Sequence, residues 1–311
     1  MNKLLISVLT LSFVYCNCLA QKATNLKIEK VFLDNSDSTK NCYTIIYPPK
    51  LPWNGYIFVV PGFGENAERV LQQTDLPKEL ALNGILTVIP TFQDGVLSFG
   101  VDSLSQQSFA NILKEVTSKH KLIDLKFYVG GYSIGGSCTF KYAENPVIKP
   151  AAIFAIDPPL DFERMYYSAQ RDIRLSKASE PNEENLYIVE RLKKEIGGSP
   201  NNNQSEYYKF SPYSFSDTTQ FAIKKLVKTP IRIYTEPDIS WWMKERKADY
   251  TSMNSTECSA FINELNRLGN NNALLITTHN KGFRKPDNIK HPHSWSIVNN
   301  DELIKWLLKQ Q

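Results

Sequence analysis

A serine between glycines is the residue of this chain best placed to do chemistry. Residues 131–135 read Gly-Tyr-Ser-Ile-Gly, with Ser133 at the centre. A β-branched and aromatic run, 125–129, precedes them, and a proline-free stretch, 136–145, follows. A strand, a sharp turn and a helix around Gly-x-Ser-x-Gly are typical of a nucleophile elbow. We predict that Ser133 is a nucleophile. The alternative is a glycine loop that only joins a strand to a helix.

A serine hydroxyl is a poor nucleophile at neutral pH and needs a base. The chain has four histidines: His120, His279, His291 and His293. His120 precedes the elbow strand, so we expect it at the opposite end of the sheet from Ser133. The base must reach back over the elbow and then lead into the last helix, which favours His293. We rank His291 second and His279 third.

Two of these histidines could instead bind a metal. His291 and His293 alternate along the chain, but Pro292 separates them and no third ligand is evident. Zinc sites in proteins need three or four protein ligands. We therefore predict no metal.

The base needs a carboxylate to orient its ring. After the apolar run 231–234 the chain reads Thr-Glu-Pro-Asp, which ends with Asp238. The carboxyl ends of strands are where α/β sheets place their sites. We choose Asp238 first and Glu236 second, although either residue could only cap a helix. Asp157, at the end of another apolar run, is the third candidate.

A developing oxyanion needs two backbone donors. One is the amide of Ile134, directly after the predicted nucleophile. The other is expected from an earlier strand-ending loop, Pro61-Gly62-Phe63-Gly64, with the Phe63 amide as donor. Glu65 follows this loop, where its carboxylate would repel an oxyanion or bind a cationic group of a substrate.

The elements around these residues predict one α/β domain over residues 21–311. Apolar runs alternate with helical patterns, which argues for a mostly parallel central sheet with helices on both faces. The predicted strands are 26–33, 41–47, 56–60, 85–89, 125–129, 151–156, 231–234 and 273–277. The predicted helices are 103–119, 136–145, 185–196, 254–268 and 300–309.

The stretch from about 157 to 228 breaks this alternation. It contains a charged helical segment, a loop over 197–204 and an aromatic run over 207–213. Long insertions of this kind are often lids over a site. Trp241 and Trp242 lie beyond it and, with the aromatic run, could wall a substrate pocket; the alternative for such clusters is ordinary core packing.

The first twenty residues have the pattern of a secretory signal peptide. Lys3 precedes an apolar run, 4–15, and Cys18-Leu19-Ala20 ends in a small-x-small cleavage site. We therefore expect export to the periplasm or the medium. A lipoprotein signal using Cys16 or Cys18 is the second interpretation. The formal net charge of +4 and the lack of a basic stripe favour neither a nucleic-acid partner nor a membrane-spanning one.

Removing that segment leaves three cysteines, so at most one disulfide can form within the chain. A bridge between Cys42 and Cys258 is one option. Cys138 follows the elbow and is expected to be a buried apolar residue.

In chain order, these motifs resemble the α/β-hydrolase superfamily. The quoted pieces are Pro61-Gly62-Phe63-Gly64, Gly131-Tyr132-Ser133-Ile134-Gly135, Thr235-Glu236-Pro237-Asp238 and Pro292-His293-Ser294-Trp295. The resemblance covers nearly the whole mature chain, and nucleophile, acid and base follow the family's order. More narrowly, the chain looks like uncharacterised exported bacterial serine hydrolases. Two positions depart from the family pattern: Pro61 stands where histidine is common, and Thr235 where glycine is usual.

The resemblance implies a secreted serine hydrolase that cleaves a carboxylic ester through an acyl-enzyme, with Ser133, His293 and Asp238 as its triad. It implies a small-molecule or acylated substrate and no cofactor. The alternatives are a peptidase or amidase of the same fold, and a non-catalytic binding protein that retains the fold.

Overall fold

A computed structural model describes residues 26–33, 37–177, 179 and 182–310 of the chain. The predicted signal peptide, residues 1–20, lies outside the described residues. Within the described ranges, no helix has both the length and the apolar character needed to cross a membrane.

An eight-stranded sheet forms the centre of the molecule, with the order β1-β2-β4-β3-β5-β6-β7-β8. The strands are β1 (Ile28–Phe32), β2 (Cys42–Ile46), β3 (Gly55–Val60), β4 (Ile85–Thr91), β5 (Phe127–Tyr132), β6 (Ala152–Ile156), β7 (Ile231–Thr235) and β8 (Ala273–Thr277). β2 pairs antiparallel with β1 and β4, and every other pair in this sheet is parallel. The predicted mostly parallel sheet is confirmed.

A small hairpin stands apart from the main sheet. Its strands are β9 (Phe283–Arg284) and β10 (Ile289–Lys290), which pair antiparallel. It lies in the chain between β8 and the loop that carries His291 and His293.

Helices cover both faces of the sheet. They are α1 (Ala67–Gln73), α2 (Leu76–Leu82), α3 (Ser103–His120), α4 (Ile134–Glu144), α5 (Phe162–Leu175), α6 (Glu183–Ile196), α7 (Pro200–Phe210), α8 (Ile239–Trp241), α9 (Asn254–Arg267) and α10 (Asn300–Lys309). Side chains of α3, α4 and α9 pack into one apolar cluster against the sheet, and those of α1, α2 and α10 pack into a second. Because these two clusters bury both faces, the central strands read as continuous apolar runs.

Strands β3 and β5 show this burial most fully. All six residues of each are buried. Both strands therefore need small or apolar side chains on both faces, which their sequences supply. The predicted oxyanion loop follows the end of β3, and the predicted nucleophile follows the end of β5.

Three helices, α5 to α7, occupy the chain between β6 and β7. They have an apolar cluster of their own, which includes Phe162, Tyr166, Leu192 and Tyr207. The same cluster contains Phe99 and Ile134, so the three helices rest on the region of the elbow.

Part of this segment differs from the sequence prediction. Residues 197–204 were expected to be a loop, but α7 begins at Pro200 and includes most of the aromatic run. Proline is favoured in the first turn of a helix because its missing N–H would have no partner there. Its buried Tyr207 joins the cluster just described, so this aromatic residue is core.

The structure also shows whether the three cysteines of the described residues form a disulfide. Cys42, Cys138 and Cys258 are all buried and free, so the bridge between Cys42 and Cys258 is not formed. Cys138 is fully buried in α4 and packs with the core, as expected.

Candidate active site

Ser133 lies in a strained turn between β5 and α4. Its backbone angles are φ 52° and ψ −128°, and its N–H donates to the carbonyl of Ile156 at 2.8 Å. A non-glycine residue in such a sparsely populated region costs about 1–3 kcal/mol and persists only where its surroundings impose it. Such strained residues cluster at functional sites, as the elbow interpretation requires.

The glycines around the serine are demanded by close packing. A Cβ on Gly131 would lie 2.4 Å from the backbone of Gly135. A Cβ on Gly135 would lie 2.3 Å from the carbonyl oxygens of Val60 and Pro61. The start of α4 is therefore pressed directly against the end of β3 and the loop that follows it.

His293 contacts a carboxylate, and that carboxylate belongs to Asp157. The distance from His293 Nδ1 to Asp157 Oδ2 is 2.6 Å, and both side chains are largely buried. Asp157 directly follows β6, with φ 46°, and its N–H donates to the Tyr234 carbonyl at 2.8 Å. A carboxylate on Nδ1 leaves Nε2 as the nitrogen that can accept a proton from a serine.

The ring of His293 is held beside the elbow. Its centroid lies 4.8 Å from the ring of Tyr132, the residue before Ser133. The Tyr132 hydroxyl donates to the His293 carbonyl at 2.8 Å, and the Trp295 ring also packs against the tyrosine, with ring centroids 5.1 Å apart. Ser133, Asp157 and His293 line the same cleft.

Asp238, the first choice from sequence for the acid, is held elsewhere. Its carboxylate accepts from the Trp241 N–H at 3.1 Å as the N-cap of α8, and it pairs with Lys290 Nζ at 2.6 Å. The hydrogen bond from Lys290 is the main cause that lowers the pKa of Asp238. The carboxylate that contacts His293 thus comes from the end of β6 instead of β7, and it belongs to the residue ranked third from the sequence.

Glu236, the second choice, is buried against backbone donors. Its carboxylate accepts from the amides of Lys281 and Gly282 at 2.8 and 3.1 Å and from the Thr278 hydroxyl at 2.9 Å. These contacts anchor the segment that leads from β8 into the hairpin and the histidine loop. Sequence reasoning missed this role because the donors lie more than forty residues further along the chain.

The other histidines are placed differently. The ring of His291 packs on Trp241, with ring centroids 4.7 Å apart, and burial lowers its pKa to about 3. His279 Nε2 contacts the side chain of Asn280 at the surface. His120 packs against Tyr47 near the end of α3, as expected for a residue far from the site. None of these three contacts a carboxylate among the described residues.

Two backbone amides near the elbow could bind an oxyanion. Among the described residues, neither the Phe63 amide nor the Ile134 amide donates a hydrogen bond. The loop that carries Phe63 is close to the serine, because a Cβ on Gly62 would lie 2.7 Å from the Tyr132 ring. Free amides beside a nucleophile are what an oxyanion hole requires.

Glu65 connects the oxyanion loop to the histidine loop. Its Oε2 accepts from the Gly62 amide at 3.2 Å and from Trp295 Nε1 at 3.1 Å. Burial raises the pKa of this carboxyl, and the two hydrogen bonds oppose that rise. Through Oε2, Glu65 therefore links these two loops, and its expected contact with a cationic substrate group stays a prediction.

The cleft that contains the serine is large and polar. It encloses about 580 Å³, and its walls come from α5, α6 and the segment 242–248 as well as from the sheet ends. Trp242 lines it, whereas Trp241 packs behind it on His291. The walls carry both signs of charge, with arginines Arg164, Arg246 and Arg284 beside several aspartates and glutamates. A site with these walls suits a polar substrate better than a long hydrocarbon chain.

This sheet order, with helices on both faces and a serine elbow after β5, is the α/β-hydrolase fold, which confirms the fold expected from the sequence motifs. Solved structures agree. An acylaminoacyl peptidase from Pyrococcus horikoshii has a TM-score of 0.56 at 14% identity, over 92% of this chain and 40% of its own. The chain thus spans less than half of that peptidase.

Two further solved structures match nearly full length to full length. A fluorophosphonate-binding serine hydrolase F from Staphylococcus aureus has a TM-score of 0.52 at 12% identity, over 91% of this chain and 99% of its own. A monoglyceride lipase from Saccharomyces cerevisiae has a TM-score of 0.55 at 15% identity, over 93% of this chain and 96% of its own. In sequence, no family model and no curated protein matches this chain.

Proposed function

We propose that this protein is a serine hydrolase with Ser133 as nucleophile, His293 as base and Asp157 as the orienting acid. The observation that carries the proposal is the 2.6 Å contact between Asp157 and His293 in the cleft of a strained elbow serine. Nucleophile, acid and base still follow the order Ser, Asp, His along the chain, which is the order of this fold's hydrolases.

The chemistry would proceed in two steps. His293 takes the proton of Ser133 as the hydroxyl oxygen attacks the acyl carbon, and Asp157 stabilises the imidazolium without itself taking the proton. The amides of Phe63 and Ile134 bind the oxyanion. The imidazolium protonates the leaving group, which departs and leaves an acyl-serine. Water then attacks, with His293 again as base, and releases the acid. This scheme uses no metal or organic cofactor.

A carboxylic ester is the proposed substrate, carried by a small polar or acylated molecule. The polar cleft supports a small molecule, and the lipase and serine hydrolase among the similar structures support acyl transfer. An amide or peptide bond is the second candidate. The similarity to an acylaminoacyl peptidase favours it, although this chain spans only 40% of that protein.

We propose that α5 to α7 act as a lid. Residues of α5 and α6 line the cleft, and Arg246 on the opposite wall pairs with Glu184 of α6 at 2.6 Å. Exposed pairs of this kind contribute only about 0–1 kcal/mol, so this contact can break as the lid moves.

We also propose export through residues 1–20, to the periplasm or the medium, with lipid attachment at Cys16 or Cys18 as the less favoured route. Mass spectrometry of the N-terminus of the mature protein tests this. An N-terminus at Gln21 supports export by signal peptide cleavage, and a lipid-modified cysteine supports the second route.

A fluorophosphonate probe tests the nucleophile. Wild type should be labelled, and Ser133→Ala should not; a matched control, Ser137→Ala, removes a serine of α4 whose hydroxyl only contacts the Pro159 carbonyl and should still be labelled. Equal labelling of wild type and Ser133→Ala would contradict the assignment. A protein with the intact fold that neither labels nor hydrolyses p-nitrophenyl esters or anilides would instead be a binding protein.

His293→Ala tests the base. It should lower kcat by several orders of magnitude, whereas His291→Ala and His279→Ala should retain most of it. The reverse pattern, with His291→Ala inactive and His293→Ala active, would move the base to His291.

A further inference from the structure

The cleft carries charged groups of both signs, and two of its three arginines are paired within the protein. Of its arginines, Arg164 pairs with Glu257, and Arg246 pairs with Glu184. Of its carboxylates, Asp157 is held by His293 and Glu236 by backbone amides. The charges of Arg164 and Arg246 are thus already met by carboxylates of the protein.

Arg284 differs from the other two cleft arginines. It ends β9, is exposed and lines the cleft with Ser133, and among the described residues no carboxylate forms an ion pair with it. Its Nη2 lies 3.4 Å from the carbonyl oxygen of His293. The guanidinium thus lies beside the proposed base, in the wall of the cleft.

Two titratable neighbours of Arg284, His291 and Glu65, form no ion pair with it. His291 is kept uncharged, since burial and then the charge of Arg284 lower its pKa to about 3. Glu65 is engaged by Gly62 and Trp295. A guanidinium presents a planar fork of N–H donors that matches a carboxylate in two hydrogen bonds.

We propose that Arg284 forms a subsite for a carboxylate of the substrate, so that the protein favours esters that bear a negative charge close to the scissile bond. This rests on the proposed hydrolase function and specifies its substrate class. Arg284 is a specificity-determining residue in this proposal, since it would contact the substrate but not the reacting atoms.

Two matched ester pairs test the proposal and locate the carboxylate. p-Nitrophenyl hemiglutarate against its methyl ester places the charge on the acyl side. p-Acetoxybenzoate against its methyl ester places it on the leaving group. Each kcat/KM is divided by the rate of alkaline hydrolysis of the same ester, which removes intrinsic reactivity.

For wild type, at least one anionic ester should exceed its neutral partner by about ten-fold or more, which is the scale of a charged hydrogen bond. In Arg284→Gln that ratio should fall close to one, chiefly through a higher KM for the anionic ester. Arg284→Lys should retain part of it, because the charge stays but the fork is lost. The ratio should also fall with added salt.

The control is Lys285→Gln, which removes the same charge from the neighbouring residue. Lys285 pairs with Asp75 and does not line the cleft, so the ratio should stay at the wild-type value. A wild-type ratio near one for both pairs, or a ratio unchanged in Arg284→Gln, would overturn the subsite.

The same experiment separates failure of the subsite from failure of the proposed function. If fluorophosphonate labels Ser133 and the neutral esters are hydrolysed without preference, the hydrolase stands and the subsite fails. If Ser133→Ala hydrolyses both members of a pair as wild type does, the proposed function fails. Fluorophosphonate labelling of Arg284→Gln at the wild-type rate shows that this variant is folded.

Discussion

The ends of β6 and β7 are neighbours in the sheet, and each carries acidic residues, yet the two ends do different things. Asp157 after β6 contacts His293, whereas Glu236 and Asp238 after β7 contact backbone amides and Lys290. Both ends satisfy the rule that sites lie at the carboxyl edge of the sheet. The difference teaches that the edge of the sheet offers several candidate acids, and that the partner of each side chain distinguishes the proposed catalytic acid from the supporting residues.

The most severe test of this contrast is Asp157→Asn. An amide at this position cannot stabilise the imidazolium and favours the wrong tautomer of His293, so we expect kcat to fall by about ten-thousand-fold. Steady-state kinetics with a p-nitrophenyl ester measure this, and circular dichroism checks the fold. A loss of less than ten-fold would remove Asp157 from the triad.

Glu236→Ala tests the supporting role of the β7 end. It leaves the amides of Lys281 and Gly282 without their acceptor, so we expect a loss of about 1–3 kcal/mol in the free energy of unfolding. Urea denaturation measures it. Glu236→Gln keeps acceptor oxygen and should lose less. If Glu236→Ala abolished kcat while leaving stability unchanged, Glu236 would belong to the chemistry.

The lowered pKa of His291, which packs on Trp241 after β7, predicts how the free energy of unfolding depends on pH. Its pKa is about 3 in the folded protein, below the ordinary value of 6.5, so the unfolded chain takes up a proton first as the pH falls. Stability is thus lost below about pH 6.5. His291→Phe should recover about 1 kcal/mol at about pH 5, a value reduced for solvent screening of a partly exposed ring.

Thermal denaturation of wild type and His291→Phe between pH 7 and pH 5 measures this difference. The two proteins should diverge as the pH falls. Parallel curves would show that the ring is as easily protonated in the folded protein as in the unfolded chain.

The smallest effect is expected from Asp238→Asn. The variant loses the charge facing Lys290 but keeps an oxygen that can cap α8, so kcat should stay within about three-fold of wild type. Comparison with Asp157→Asn in the same assay sharpens the contrast between the two strand ends. A loss comparable to that of Asp157→Asn would return the acid to the β7 end.

The sequence carried enough information for the sheet and the elbow but not for the acid. Gly131 and Gly135 indicate a turn with no room for a side chain, and continuous apolar runs indicate buried parallel strands. The sequence favours Asp238 over Asp157, because no local pattern reveals that Lys290, 52 residues further along the chain, pairs with Asp238. Only the three-dimensional arrangement shows that this lysine holds Asp238 while Asp157 meets His293.

The secondary structure around the aromatic run of the insertion was hard to predict for a related reason. Its residues are not spaced as one helical face of a regular core, so a loop and a lid were both compatible with the pattern. Tyr207 packs in one apolar cluster with residues of α5 and α6. These contacts join segments distant in sequence, so local spacing does not indicate them.

The ring of Phe63 contacts the proposed lid. It packs against Phe99 at 5.9 Å and against Tyr187 of α6 at 5.6 Å. The amide of the same residue is the proposed oxyanion donor. Displacement of α6 to admit a substrate would therefore remove the support of that donor, and its return would restore it. The position of α6 that admits a substrate and the position that supports the oxyanion donor would then exclude each other. The open molecule would be inactive until its substrate is enclosed.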